Sequence, residues 1–364
     1  MSKIAITADI HFGVLGKTED ILWACNTLRE YCTNHDIDTI IVLGDLYHDR
    51  VSVNIDVLCA ASKFFEECAE KYDQRWIVFP GNHDMYLRHS WEINSLLPLN
   101  KHLTVINDVK LLTFDDKRFW VLPFIQNEQS YMKVLRAIEN QHEEGDVLLT
   151  HIGVRGSILN TCFLLKDWSH VRFDYSKFTK VYTGHFHSNQ QVNDNVWYPG
   201  SLIPFKFDEG DISHGFYVYD LTTEEHEFID IWEAGKQTNS QQKPPPQFRT
   251  IEDLKLETTT LKIENEIIRV SLTREYTINE KQTIRDKLIQ RGAREVRWMN
   301  PSSRIEKTPQ LIANAATPSR SLFNLWISQD QKGTKDLDIK LLQHLHDEIT
   351  KDGDEMYAKD DHEL

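Results

Sequence analysis

Cysteine is scarce in this chain and never spaced for chelation. Five of the 364 residues are cysteine (Cys25, Cys32, Cys59, Cys68 and Cys162), an odd number with no Cys-x-x-Cys pair. That argues against a disulfide framework and against a thiolate zinc site, and it predicts buried thiols in a reducing cytoplasm. Long apolar runs are missing too: none reaches the roughly 18 to 20 residues that a membrane helix needs, so no membrane role is expected. Met1 to Ile6 lead straight into a β-prone run, which predicts no signal peptide. Basic residues are outnumbered, with 41 Lys and Arg against 56 Asp and Glu and a formal net charge of -15. Affinity for phosphates comes mainly from Lys and Arg, so any nucleic-acid role must rest on metal ions, a local basic patch or a partner.

What remains is ordinary globular composition, 40% hydrophobic and 27% charged, long enough for two or three domains. Short buried-strand runs alternate with amphipathic helices: strands at 3 to 8, 39 to 43 and 76 to 79, helices at 19 to 34 and 54 to 71. That alternation is the pattern of parallel βαβ units. Further strands are expected at 103 to 106, 109 to 114, 119 to 123, 146 to 150, 180 to 183, 195 to 198 and 215 to 220, with a helix near 128 to 141. These make a first domain over 1 to 235. A polar tract with three prolines, 236 to 250, reads as a linker, and 251 to 300 as a small β-α-β capping domain. A second linker spans 301 to 320. Apolar clusters at helical spacing fill 321 to 350, and 351 to 364 is an acidic tail.

Chemistry gathers where five of the strands end. The ends carry Asp9, His11, Asp45, Asn82, His151, His185 and His187, oxygen and imidazole donors without a thiolate. Such a set suits manganese, iron or zinc. Seven donors are too many for one ion, whereas two ions with Asp45 as the bridge account for all seven. A two-metal centre suits phosphate-ester hydrolysis. Gly81-Asn82-His83-Asp84 adds an imidazole and a carboxylate able to move protons. Histidines outside this pattern, among them His35, His214 and His226, default to surface or packing roles. Gly200-Ser201 reads as a turn, not as a nucleophile.

In this order the residues resemble the calcineurin-like metallophosphoesterases, whose five motifs stand here as Asp9-x-His11, Gly44-Asp45, Gly81-Asn82-His83-Asp84, His151 and Gly184-His185-x-His187. The resemblance implies an α/β fold: a metallophosphoesterase β-sandwich flanked by helices, with a small α/β capping domain and a helical C-terminal segment. It implies one metal on Asp9, His11, Asp45 and His187, and another on Asp45, Asn82, His151 and His185. His83 would act on the leaving group, with Asp84 orienting it.

A narrower resemblance lies in the flanks. Gly44-Asp45-Leu46-Tyr47-His48, Tyr198-Pro199-Gly200-Ser201 and Phe207-x-Glu209 look like the SbcD-type nuclease subunits of double-strand-break repair, the meiotic-recombination nuclease family. This implies two manganese ions, exonuclease and endonuclease action on DNA ends, and an SbcC-type coiled-coil ABC ATPase as partner. A homodimer is a further expectation. A histidine matching His48 positions the DNA strand there, and Tyr47 stands where the family more often has Phe. Phe323, Leu325 and Trp326 are candidates for the partner contact. Two other readings share the five motifs: a small-molecule phosphatase or dinucleotide hydrolase, and a non-catalytic subunit that holds DNA ends.

Overall fold

The structure is a computed structural model that describes residues 3–87, 90–160, 163–164, 174–210, 212–238, 244–253, 263 and 265–299. The chain falls into two units, Met1–Pro301 and Ser302–Leu364, and every described residue belongs to the first. The expected linker 301 to 320, the helical segment with Phe323, Leu325 and Trp326, and the acidic tail lie outside the described residues.

In chain order the strands and helices of the first half are β1 (Lys3–Thr7), α1 (Thr18–Asn34), β2 (Thr39–Val42), α2 (Ile55–Tyr72), β3 (Arg75–Val78), β4 (Thr104–Val105), β5 (Lys110–Phe114), β6 (Lys117–Leu122) and α3 (Glu128–Glu139). Then come β7 (Val147–His151), the short hairpin β8 (Ile158–Asn160) and β9 (Phe163–Leu164), β10 (Lys180–Gly184), β11 (Gln190–Asn193), β12 (Val196–Tyr198), β13 (Gly215–Asp220), β14 (His226–Asp230) and α4 (Ile231–Gln237). The last group is β15 (Gln247–Glu252), β16 (Glu266–Ser271), α5 (Ile278–Gln290) and β17 (Ala293–Met299).

Two six-stranded sheets carry the molecule, in the orders β14-β13-β1-β2-β3-β4 and β11-β12-β10-β7-β6-β5. Strand β1 runs parallel to β2 and β2 to β3, while β10 runs parallel to β7 and β7 to β6. Parallel strands are covered on both faces, and the side-chain alternation shows how. Ile4, Ile6, Ile41, Leu43, Ile77 and Phe79 meet Phe119, Val121, Val147 and Leu149 in one core between the sheets. The intervening residues, Ala5, Ile40, Val42, Trp76 and Val78, face α1 and α2. On the other side Trp120, Leu122, Leu148 and Val181 pack against Tyr131, Leu135 and Ile138 of α3. The result is a helix-sheet-sheet-helix sandwich with the carboxyl ends of β1, β2, β3, β7 and β10 brought to one region.

The parallel strands β15, β16 and β17 form a third sheet, with α5 linking the last two. Thr277 and Glu280 start α5 with a reciprocal capping box. Ile251, Ile268, Val270, Leu288 and Val296 give this sheet its own core.

Three expectations change. The tract read as a linker from 236 to 250 is shorter, because α4 runs to Gln237 and β15 begins at Gln247. Both elements are too short and too polar to stand out: α4 contains Gly235, which lets it approach the Trp23 ring closely. The edge strand β14 alternates charged and apolar residues, His226-Glu227-Phe228-Ile229-Asp230, and was hidden for the same reason. Finally, Cys25, Cys32 and Cys68 are buried thiols as expected, but Cys59 is exposed on the outer face of α2.

Candidate metal centre

Each strand end projects its donors from a tight loop. The loops after β1 and β2 are zipped together by their backbones: Asp9 N–H donates to Gly44 O at 3.2 Å, His11 N–H to Asp45 O at 3.0 Å and His48 N–H to Phe12 O at 2.9 Å. Asp9, His11, Asp45 and His185 hold left-handed φ angles of 51°, 54°, 52° and 97°. Such conformations cost on the order of 1 to 3 kcal/mol each and persist where surrounding structure over-determines them. Gly81 has no side-chain alternative, since a Cβ there would stand 2.2 Å from Asp45 Oδ1.

The donors collect into two groups. Ligand atoms of Asp9, His11 and His187 all lie within 4.8 Å of one another, and so do those of Asp45, His151 and His185. Asn82 joins the second group, with Oδ1 2.8 Å from His185 Nδ1 and 3.1 Å from His151 Nε2. Asp45 stands between the two: its Oδ2 is 3.3 Å from His151 Nε2 and 3.8 Å from His11 Nε2. Asp9 and Asp45 are 0% and 2% exposed, so their charge has to be met inside the protein.

The fit to a cation follows from the hydrogen bonds around the rings. His151 donates Nδ1–H to Leu43 O at 2.7 Å, which leaves Nε2 as an acceptor facing the acceptor oxygens of Asn82 and Asp45. His187 donates Nδ1–H to Glu209 Oε1 at 3.0 Å, which turns its Nε2 onto His11 Nε2, also at 3.0 Å. Around His151, acceptors facing acceptors call for a positive charge between them, and a metal ion or a proton answers that call. The titration behaviour agrees. Burial pushes His151 down, yet the Asp45 carboxylate prevails and lifts it to about 9. Burial raises Asp9 to about 6, while burial and the neighbouring His151 push His185 down to about 3.

A third cluster adjoins the first. His11, His48 and His83 bring ring nitrogens within 4.8 Å of one another, and the His48 and His83 rings stack at 5.8 Å and 14°. The His83 ring donates Nδ1–H to the carbonyl oxygen of His48 at 2.5 Å. Phe205 sets its ring edge-on to both His11 and His187, and Phe124 lies over His185.

Asp84 is bonded to the backbone of two loops. Its carboxylate accepts N–H bonds from Leu46 at 3.3 Å, Tyr47 at 3.1 Å and Gly81 at 3.0 Å, and the Ser95 hydroxyl at 3.4 Å. Those bonds occupy it with backbone, so it orients His83 only at one remove, through the loop that ends in His48. Glu209 is the residue that sequence reasoning left without a role. It is 3% exposed, and its one signal was membership of Phe207-x-Glu209. His214, expected at the surface or in packing, is buried and donates Nε2–H to Glu209 O at 2.9 Å.

Comparison with known proteins gives the following likenesses. Residues 2–189 match the model of the calcineurin-like phosphoesterases. The chain is 25% identical over 215 residues to the putative phosphoesterase 244L of Invertebrate iridescent virus 6, covering 57% of this chain and 73% of that one. It is 24% identical over 254 residues to an SbcCD nuclease subunit of Staphylococcus epidermidis, covering 60% of this chain and 66% of that one. Among solved structures, a dimetal phosphatase from Danio rerio aligns at 13% identity and a TM-score of 0.39, over 60% of this chain and 92% of that one. Among the described residues no helix is long and apolar enough to cross a membrane. With the family model covering just over half of its length, 188 of 364 residues, this chain belongs to the calcineurin-like phosphoesterases.

Proposed function

We propose that the chain is a two-metal phosphodiesterase that hydrolyses DNA at its ends, as the nuclease subunit beside an SbcC-type coiled-coil ATPase. The observation that carries the phosphoester reading is the pair of donor groups meeting at Asp45. The family uses a dinuclear metal centre. Here Asp9, His11, Asp45 and His187 would hold one cation, and Asp45, Asn82, His151 and His185 the other. Oxygen and imidazole donors without thiolate suit manganese. A pair of divalent cations supplies Lewis-acid polarisation of a phosphoryl oxygen and makes water acidic enough to attack near neutral pH.

The chain's own residues do the rest. Carbonyl 48 fixes the His83 tautomer with the proton on Nδ1, so Nε2 is the nitrogen that exchanges a proton with the departing sugar oxygen. The His48 ring, stacked on His83, contacts the substrate strand. The burial of Asp9 and Asp45 keeps the anionic ligands away from bulk water and focuses their charge on the cations.

DNA as the substrate is supported by the 24% identity to a nuclease subunit. The net charge of -15 means that this chain draws little DNA affinity from its own surface, which leaves the metal pair and the ATPase to supply it. The test is manganese-dependent turnover of linear DNA beside a nucleotide phosphomonoester and a dinucleotide. Cleavage of DNA with the phosphomonoester untouched is expected. Turnover of the small esters alone would replace the nuclease by a small-molecule phosphatase or dinucleotide hydrolase. A metal-loaded chain inert on every ester, with and without its ATPase, would favour end-holding. Co-purification of the ATPase, lost on deletion of residues 321 to 350 with Phe323, Leu325 and Trp326, tests the partner.

A further inference from the structure

The short turn Phe207–Glu209 is attached to two places at once. Its last residue, Glu209, supports a donor of the first metal group: Oε1 accepts His187 Nδ1–H at 3.0 Å, while Oε2 accepts Phe205 N–H at 2.8 Å. Its first two residues are gripped by all three strands of the third sheet. The Phe207 ring packs on Phe248 of β15 at 4.8 Å and 58°. The Arg269 guanidinium of β16 covers that ring at 4.8 Å and reaches Asp208 at 3.4 Å, and Arg297 of β17 stands 5.6 Å from the same ring. The next residue, Gly210, lets β15 come this close: a Cβ there would lie 2.3 Å from the Phe248 carbonyl oxygen.

We propose that Glu209 is a positioning residue for His187, and that the third sheet holds Glu209 in place through this turn, so that the small sheet forms part of the scaffold of one metal site. The inference rests on the two-metal reading and adds to it a division of labour. A ligating imidazole almost always donates its other N–H to a fixed acceptor, which sets the tautomer and ring orientation and strengthens the metal bond. For His187 that acceptor is a carboxylate buried at 3% exposure, whose position depends on Phe205, on the turn and on the sheet beyond it. The second group is anchored elsewhere, with His151 bonded to the Leu43 carbonyl inside the sandwich. Moving the third sheet therefore disturbs one cation and spares the other.

The experiment is calorimetric titration of the chelator-stripped full-length chain with Mn2+, with metal content measured after desalting. The wild type takes up two ions. Glu209→Ala is expected to weaken one of them about 10- to 100-fold and to leave the other within about twofold. Glu209→Gln, which keeps an acceptor oxygen, falls between the two. Phe248→Ala, remote from every ligand, reproduces the selective loss, and the milder Phe248→Leu serves if that variant does not fold. Two ions bound at wild-type strength by Glu209→Ala, or equal weakening of both, would overturn the role of Glu209. Unchanged binding in the folded Phe248 variants would overturn the role of the sheet. Because the readout is metal affinity, a chain that proves inactive on DNA still answers the question.

Discussion

The His83 imidazole and the His48 carbonyl, 35 positions apart, are joined by a 2.5 Å hydrogen bond from Nδ1. The bond decides the tautomer of one residue by the backbone of another. It also ties the geometry of the 45 to 48 loop to the His83 ring, and Asp84 shapes that loop through the N–H groups of Leu46 and Tyr47. His83, Asp84 and His48 thus form a chain of dependence that runs from the Asp84 carboxylate through the loop backbone to the His83 ring.

From this, His83→Ala is expected to keep both metals, because His83 belongs to neither principal donor group, and to lower kcat by about 10² to 10⁴. Metal content and single-turnover cleavage of linear DNA measure the two halves. Normal cutting by the variant would end the proton-transfer role.

Asp45→Ala is expected to do the reverse. Its Oδ1 accepts His83 N–H at 2.8 Å and its Oδ2 faces His151 and His11, so its removal takes the shared donor from both groups. Metal content should fall from two ions to less than one per chain, as read by elemental analysis after desalting. Retention of two ions would refute the bridge.

Much of this was legible in the primary structure for one reason: each donor stands beside a run of buried apolar residues such as Thr39-Ile40-Ile41-Val42, and such runs announce parallel strands. Position at a strand end then follows from neighbouring residues alone. What long-range pairing decides was not legible. The left-handed φ of Asp9 and Asp45 depends on two loops meeting across 36 positions, and the Glu209 contact on a turn held by a separate sheet. The partners of Asp84 were hidden in the same way, because its carboxylate accepts from Leu46 and Tyr47, more than 35 positions away.

Asp84→Ala tests this arrangement. It leaves the N–H groups of Leu46, Tyr47 and Gly81 without their acceptor in a site that is 0% exposed. Unsatisfied buried donors cost about 1 to 3 kcal/mol each, so a loss of about 3 kcal/mol or more is expected by denaturant unfolding. Turnover falls as well, since the His48 carbonyl loses its fixed place. A variant of wild-type stability with impaired turnover would instead restore a direct contact between Asp84 and the His83 ring.

His226 predicts a pH dependence away from the metal centre. Its ring stacks on Tyr217 at 4.8 Å and meets Trp197 edge-on at 4.7 Å, with the Tyr182 hydroxyl bonded to Nδ1. Burial, and then Lys180, push its pKa from 6.5 down to about 4, against the pull of Glu225. An unfolded chain takes up the proton near 6.5 and the folded one only near 4, so this histidine lowers stability progressively as pH falls through that window and costs nothing above it. With chelator present throughout, wild type is expected to lose more stability than His226→Phe between about pH 7 and pH 5. The difference, discounted for a half-exposed ring, is about 1 kcal/mol. Parallel pH profiles for the two proteins would remove His226 as the cause.

The last prediction concerns a buried tyrosine in the loop beneath the metal centre. Tyr47 is 0% exposed, and its hydroxyl has no hydrogen-bond partner among the described residues. Burial, with Asp84 nearby, drives the phenol well above its ordinary pKa, so it is held there as a neutral group whose polarity goes unused. The useful polar atom of this residue is its backbone N–H, which Asp84 accepts at 3.1 Å and which any side chain would supply. Its ring packs beside Phe12 at 6.5 Å, a contact that phenylalanine keeps. Tyr47→Phe is therefore expected to relieve an unsatisfied buried group and raise stability by about 1 kcal/mol or more, with metal binding and turnover unchanged. Calorimetric melting of the two proteins decides it. A lower melting temperature in Tyr47→Phe would mean that the hydroxyl has a partner, and the loop beneath the metal centre would then owe part of its shape to that bond.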